Sequence, residues 1–141
     1  MSGTPRLVFD TNTLISHLLL PSSPPAQAVR KGLHQGQLLV SDETLRELAD
    51  VLVRPKFDRY ISIEERQEFF RVFGRVVEKV HVIRNIQVCR DPKDNKFLEL
   101  AIDGRAGYII TGDRDLLTLH PFHSIEIITP QDYLSSDELV N

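Results

Sequence analysis

The chain has one cysteine, one methionine and no tryptophan in 141 residues. With Cys89 alone no internal disulfide can form, so stability must come from a packed core, and a reducing compartment is expected. No apolar run approaches the roughly 20 residues that a membrane span requires. The first such run, Leu7-Val8-Phe9, stops at Asp10 and is too short for the apolar stretch of a secretion signal. A cytoplasmic protein with no membrane association is the expectation. There is no Gly-x-Gly-x-x-Gly and no P-loop, so nucleotide binding has no motif behind it. Excess charge is also missing: 17 basic and 20 acidic residues leave a net charge of −3. That balance does not mark a nucleic-acid binder, which is often basic, although bound cations would reverse the sign locally. His120 and His123 are three apart, but Pro121 breaks the helix that a zinc pair would need. Cys89 has no histidine near it in sequence and reads as a small core residue.

What is present suits one globular domain over residues 1–141, with 41% hydrophobic and 26% charged residues. Leu7-Val8-Phe9 reads as a strand buried on both faces. A turn and short helix over 11–20 follow, then Ser22-Ser23-Pro24-Pro25 opens a helix over 25–34, closed by Gly36. Residues 38–40 read as a second strand. Ser41 or Asp42 caps a helix running to about residue 53, ended by Arg54-Pro55. Ser62 and Glu65 form a capping box for a helix whose Phe69, Phe70, Phe73, Val76, Val77 and Val80 share one side. That stripe reads as core, or, where exposed, as a dimer or partner surface. A strand is expected at 81–83 or 86–88. Pro92-Lys93-Asp94 starts a helix stopped by Gly104. Strands are expected at 108–111 and 125–128, and Thr129-Pro130 caps a final short helix. Strands alternating with helices predict a three-layer α/β/α fold with a mostly parallel sheet of about five strands. Such sheets bind ligands beyond the carboxyl ends of their strands.

Acids fall where that crevice would lie. Asp10 closes the first strand, and Asp113 follows the strand at 108–111 across Thr111 and Gly112, with Asp115 just beyond. Asp94 precedes Phe97, Leu98 and Ala101 by three, four and seven residues, so it shares their buried face. Glu47 sits at the rim of the apolar arc Leu45, Leu48, Ala49 and Leu52. Local roles compete in each case: Asp10 and Asp94 suit helix capping, and Glu47 alone would suit solvent. Asp91, before Pro92, reads as a turn residue. Asn12 or Thr11 is expected to hold Asp10, and Thr111 to orient a carboxylate or a water. Converging carboxylates repel by about 4 kcal/mol per pair at 4 Å and an effective dielectric of 20. Divalent cations relieve that repulsion and bring phosphoryl chemistry with them.

Four blocks stand out: Val8-Phe9-Asp10-Thr11-Asn12; Ser41 through Glu47-Leu48 with Val51-Leu52 and Arg54-Pro55-Lys56-Phe57; Arg90-Asp91-Pro92-Lys93-Asp94-Asn95-Lys96-Phe97-Leu98-Glu99-Leu100-Ala101; and Thr111-Gly112-Asp113-Arg114-Asp115-Leu116-Leu117. Together, over nearly the whole chain, they resemble the PIN domain family, in particular VapC-like toxins of toxin–antitoxin systems. The resemblance implies an endoribonuclease dependent on Mg²⁺ or Mn²⁺ that cuts single-stranded RNA. It implies catalytic and metal-binding roles for Asp10, Glu47, Asp94 and Asp113, with Asp115 as an auxiliary ligand. Thr11, Asn12, Ser41, Asn95 and Thr111 would support them. Members often form homodimers and are silenced by a cognate antitoxin. Candidate RNA contacts are Arg54, Lys56, Lys93, Lys96 and Arg114, with Arg59 beside them and Tyr60 or Phe57 as a stacking surface. The competing readings are a non-toxin RNA-processing PIN nuclease, a non-catalytic interaction module, and a phosphatase of the haloacid-dehalogenase type. The last wants Asp-x-Asp, where this chain has Asn12.

Overall fold

A computed structural model of the chain describes residues 3–136. Five strands, β1 (Arg6–Phe9), β2 (Gln37–Val40), β3 (Glu78–Lys79), β4 (Tyr108–Ile110) and β5 (Glu126–Ile128), pair in parallel in the order β3-β2-β1-β4-β5. The helices are α1 (Thr11–Leu19), α2 (Pro24–Gln35), α3 (Asp42–Leu52), α4 (Ile63–Val76), α5 (Asn95–Asp103), α6 (Arg114–Leu117) and α7 (Pro130–Ser135). The expected α/β sheet with helices on both faces is the fold observed. No helix among the described residues is long and apolar enough to cross a membrane.

The period of two along each strand sorts the core into two layers. Leu7, Phe9, Leu38, Val40 and Ile110 face one side, against Val29 of α2, Leu48 and Leu52 of α3, Phe73 of α4 and Tyr133 of α7. Val8, Leu39, Ile109 and Ile127 face the other, against Phe97, Leu98 and Ala101 of α5 and Leu116 of α6. β1 is therefore apolar throughout its buried length because both its faces are covered. The helix α2 lies so close to β1 that a Cβ on Gly32 would stand 2.9 Å from the Phe9 ring. Strand order reverses between β1 and β4: the chain builds leftward from β1, then returns to β4 on its other side. The carboxyl ends of those two strands carry Asp10 and Thr111.

One strand lies elsewhere than expected. The third strand is Glu78–Lys79, paired with Leu39 and Val40, and not 81–83 or 86–88. A charged edge strand gives no apolar run to read, and charge there discourages pairing with another chain. The stretch that follows, 81–88, joins no sheet. Its amides are taken instead by side chains one turn apart on α5. Asp103 accepts from Ile83 and Arg84, Glu99 from Ile86, and Asn95 from Val88 and Cys89. The spacing 95, 99, 103 puts all three acceptors on one helix face. Asn95 thus supports the chain entering the Asp91–Asp94 turn.

The end of α3 is closed by a buried arginine from α4. Arg66 donates to the carbonyls of Leu52, at 2.8 Å, and Arg54, at 3.3 Å, and pairs with Asp58 at 2.7 Å. The Leu52 carbonyl is among those left over at the end of α3, so the guanidinium does what a terminal cap would do, while the Arg54 carbonyl accepts from the Phe57 amide as well. Arg66→Met should therefore lower stability by about 2–3 kcal/mol, read as a reduced urea midpoint with an unchanged slope. An unaltered midpoint would show that solvent satisfies those carbonyls as well.

Candidate metal centre

The end of β1 delivers Asp10 into the crevice, and its burial dictates how it is held. Only 6% exposed, it accepts through Oδ1 from the Thr13 amide at 3.0 Å and the Thr13 hydroxyl, and through Oδ2 from the Thr111 hydroxyl at 2.5 Å. The expectation that Asn12 or Thr11 would hold this carboxylate is corrected. Asn12 is exposed, because in a helix capped by Asp10 the third residue, not the second, turns back to the cap. Thr11 donates to Glu47 Oε1 instead. Asp10 is both the cap of α1 and a crevice residue, so the two roles do not compete. Burial raises its pKa, the threonine hydrogen bonds oppose that, and Asp113 adds to it.

The other acids converge from two further turns. Thr111, fully buried, accepts from the Asp113 amide at 2.9 Å while donating to Asp10, and so couples the ends of β1 and β4. Asp113 caps α6 by accepting from the Asp115 amide at 2.8 Å, and Asp91 accepts from Lys93 N at 3.1 Å. Asp91, Asp94 and Asp115 each offer an oxygen, and these oxygens lie within 4.8 Å of one another. Asp91 was expected only to shape the turn. It does so, and it also belongs to this triad, because the short 3₁₀ turn over Pro92–Asp94 folds it back toward Asp94. The signal available in sequence was Asp-Pro-x-Asp, a spacing that such a turn closes.

Asp94 is the least satisfied of the group. It stands at the start of α5, yet makes no capping hydrogen bond, and its buried Oδ2 has no partner. Burial, the facing Asp113 carboxyl and Asp91 push its pKa from the ordinary 3.8 up to about 7, with Lys96 opposing. Buried polar atoms are ordinarily paired, so this oxygen calls for a cation. A donor set made only of carboxylate oxygens suits a hard divalent cation. The residues present therefore fit a divalent ion: Asp91, Asp94 and Asp115 can reach one ion together, and Asp113 faces both Asp94 and Asp10. A cleft of ≈ 460 Å³ lined by Asp10, Asn12, Thr13, Asp113, Thr129 and Gln131 opens beside them.

Glu47 and Lys96 form the remaining edge. Lys96 Nζ lies 2.9 Å from Glu47 Oε2. The lysine was expected to contact RNA, but it is 7% exposed and paired inside, since its position on the first turn of α5 points it at α3. Arg54, Lys56, Lys93 and Arg114 are exposed. Phe57 packs on the core, leaving Tyr60, 68% exposed, as the one of the two aromatics open to a base. Ser41 caps α3 in a box with Thr44. His120 accepts from the Ile127 amide, and neither it nor His123 joins a metal-competent group among the described residues.

The raised pKa of Asp94 has a definite sign in stability. Between pH 3.8 and about 7 the folded state holds a proton that the unfolded chain releases. Stability from this group is thus complete at acid pH and is lost as pH rises through that window. In chelator, the melting temperature of the native chain should fall relative to Asp94→Asn between about pH 5 and about pH 7.5. Parallel melting profiles would contradict the assignment.

Known proteins share this fold. The family model described as PIN domain matches residues 6–115. An uncharacterized protein from Methanocaldococcus jannaschii is 29% identical over 143 aligned positions, covering 94% of this chain and 92% of that protein. The crystal structure of PAE2754 from Pyrobaculum aerophilum superposes with a TM-score of 0.64 at 14% identity, over 96% of this chain and 91% of that one. VapBC2 from Rickettsia felis, solved bound to a DNA fragment from its promoter, superposes with a TM-score of 0.59 at 11% identity, over 88% of this chain and 98% of that one. The match runs from β1 through Asp115, taking in every acid of the crevice, and the chain belongs to the PIN domain family.

Proposed function

We propose that the chain is a divalent-metal-dependent endoribonuclease that cleaves single-stranded RNA, acting as the toxin of a toxin–antitoxin pair. The observation that carries this reading is the buried, unpartnered Asp94 oxygen facing Asp113 and Asp91 at the β1/β4 crevice. Asp10, Asp94 and Asp113 are the proposed ligands, with Asp91 and Asp115 completing the shell. An ion held there would activate water and offset charge building up on a phosphodiester.

The chain's own residues do the rest. Thr13 and Thr111 fix both oxygens of Asp10, so its orientation is set before substrate arrives. Asp94, whose buried Oδ2 has no hydrogen-bond partner, would hold the ion as its carboxylate. Glu47, oriented by Thr11 and Lys96, takes the proton from the attacking water. Water adds to phosphorus as the bond from phosphorus to the 3′ oxygen breaks, and the leaving oxygen takes a proton from solvent, giving 5′-phosphate and 3′-hydroxyl ends. Lys93 and Arg114, exposed beside the acids, bind phosphates, and Arg54, Lys56 and Arg59 extend the track after α3. The toxin role, a cognate antitoxin and a homodimer are part of this proposal; what the likeness to VapBC2 supports is the shared fold. Retention of every acid weighs against a non-catalytic module. A small antitoxin gene adjoining this one would select the toxin over an RNA-processing nuclease.

Native chain and Asp94→Asn should be compared on a mixed RNA pool with Mn²⁺ and with chelator, and the cut ends mapped. The native chain should cut only with metal and leave 5′-phosphates, and the variant should be slower by on the order of 100-fold. Equal rates, or cleavage in chelator, would overturn the proposal.

A further inference from the structure

The acid cluster contains one side chain of opposite sign, and its placement constrains what else the cluster can hold. Lys96 is 7% exposed, a depth at which lysine is rarely found unless paired. Its Nζ lies 2.9 Å from Glu47 Oε2, and it also donates to the Lys93 carbonyl and stands 5.2 Å from the Phe97 ring centre. The other Glu47 oxygen accepts from the Thr11 hydroxyl. Both oxygens of Glu47 are thus engaged, one by a cation belonging to the chain. Asp94 is the opposite case, with a buried oxygen that nothing engages.

We infer that Lys96 acts as a resident cation that withholds Glu47 from the metal shell and limits the cluster to one divalent ion. The inference rests on the metal-dependent reading above. A second dication at Glu47 would have to displace the ammonium and leave it buried without the Glu47 carboxylate, holding only the neutral Lys93 carbonyl as hydrogen-bond acceptor, which proteins tolerate poorly. It would also bring two positive charges against a fixed one. The pairing spans α3 and α5, so the same contact sets the distance between Glu47 and the aspartates. Lys96 is accordingly a positioning residue: it reaches the reaction through Glu47 and through the ion count.

Mn²⁺ binding to the full chain, measured by calorimetry with the free ion counted by electron paramagnetic resonance, tests this without reference to cleavage. The native chain should bind one ion. Glu47→Gln should also bind one, within about threefold of native affinity, since loss of a true ligand or its direct support costs tenfold or more. Lys96→Met should bind two, because freeing Glu47 opens a second position, and Lys96→Met combined with Glu47→Gln should return to one. Two ions on the native chain would overturn the inference and leave the nuclease reading intact. No ion on the folded native chain would remove the metal centre itself. A folded Lys96→Met that still binds one ion would overturn the inference too. Should Lys96→Met fail to fold, Glu47→Gln decides: native affinity supports the inference and a tenfold loss contradicts it.

Discussion

Like charges drawn into one crevice are the constraint from which the rest of this structure follows. Asp10, Asp91, Asp94, Asp113 and Asp115 approach one another from three separate turns, and Glu47 closes the edge from α3. Each approach opposes folding unless something offsets it. Part of the offset is local. Asp10, Asp91 and Asp113 each use an oxygen to cap the turn or helix that follows, and Glu47 is neutralised by Lys96. Asp94 has no such relief, so the strain of the cluster is concentrated on one buried oxygen.

Capping and function are therefore not alternatives here. A carboxylate that caps a helix is held by amides whose positions the helix dictates, and its free oxygen then points with little freedom. The turn at each strand end thereby aims an acid without any long side chain having to be ordered. Thr111 contributes the cross-link, accepting from one acid's backbone while donating to the other's carboxylate. The parallel sheet supplies the frame: with β1 and β4 adjacent and the strand order reversing between them, their carboxyl ends cannot avoid forming a crevice.

Much of this was legible in the residues. Apolar runs buried on both faces identified β1, β2, β4 and β5, and serine caps identified α2, α3 and α4. Two of the misreadings trace to charged residues. Glu78–Lys79 is a strand at the sheet edge with no apolar signature, whereas the 81–88 stretch joins no sheet and is held by Asn95, Glu99 and Asp103. No local pattern reveals that a helix face will take the place of a strand partner. Lys96 looked like a surface cation because its pairing with Glu47 joins residues 49 positions apart. Asp91 was discounted because a proline turn explained it fully, and only the folded turn shows that it also faces Asp94. The choice of Thr13 over Asn12 as the Asp10 partner follows from helix geometry and was within reach.

The central claim is that this crevice holds a divalent cation against Asp94. Anomalous diffraction from crystals of the chain soaked in Mn²⁺ tests it most directly. The account predicts an anomalous peak in contact with Asp94 Oδ2 and within reach of Asp10 and Asp113. A map with no peak there, while Mn²⁺ binds elsewhere on the same molecule, would contradict it.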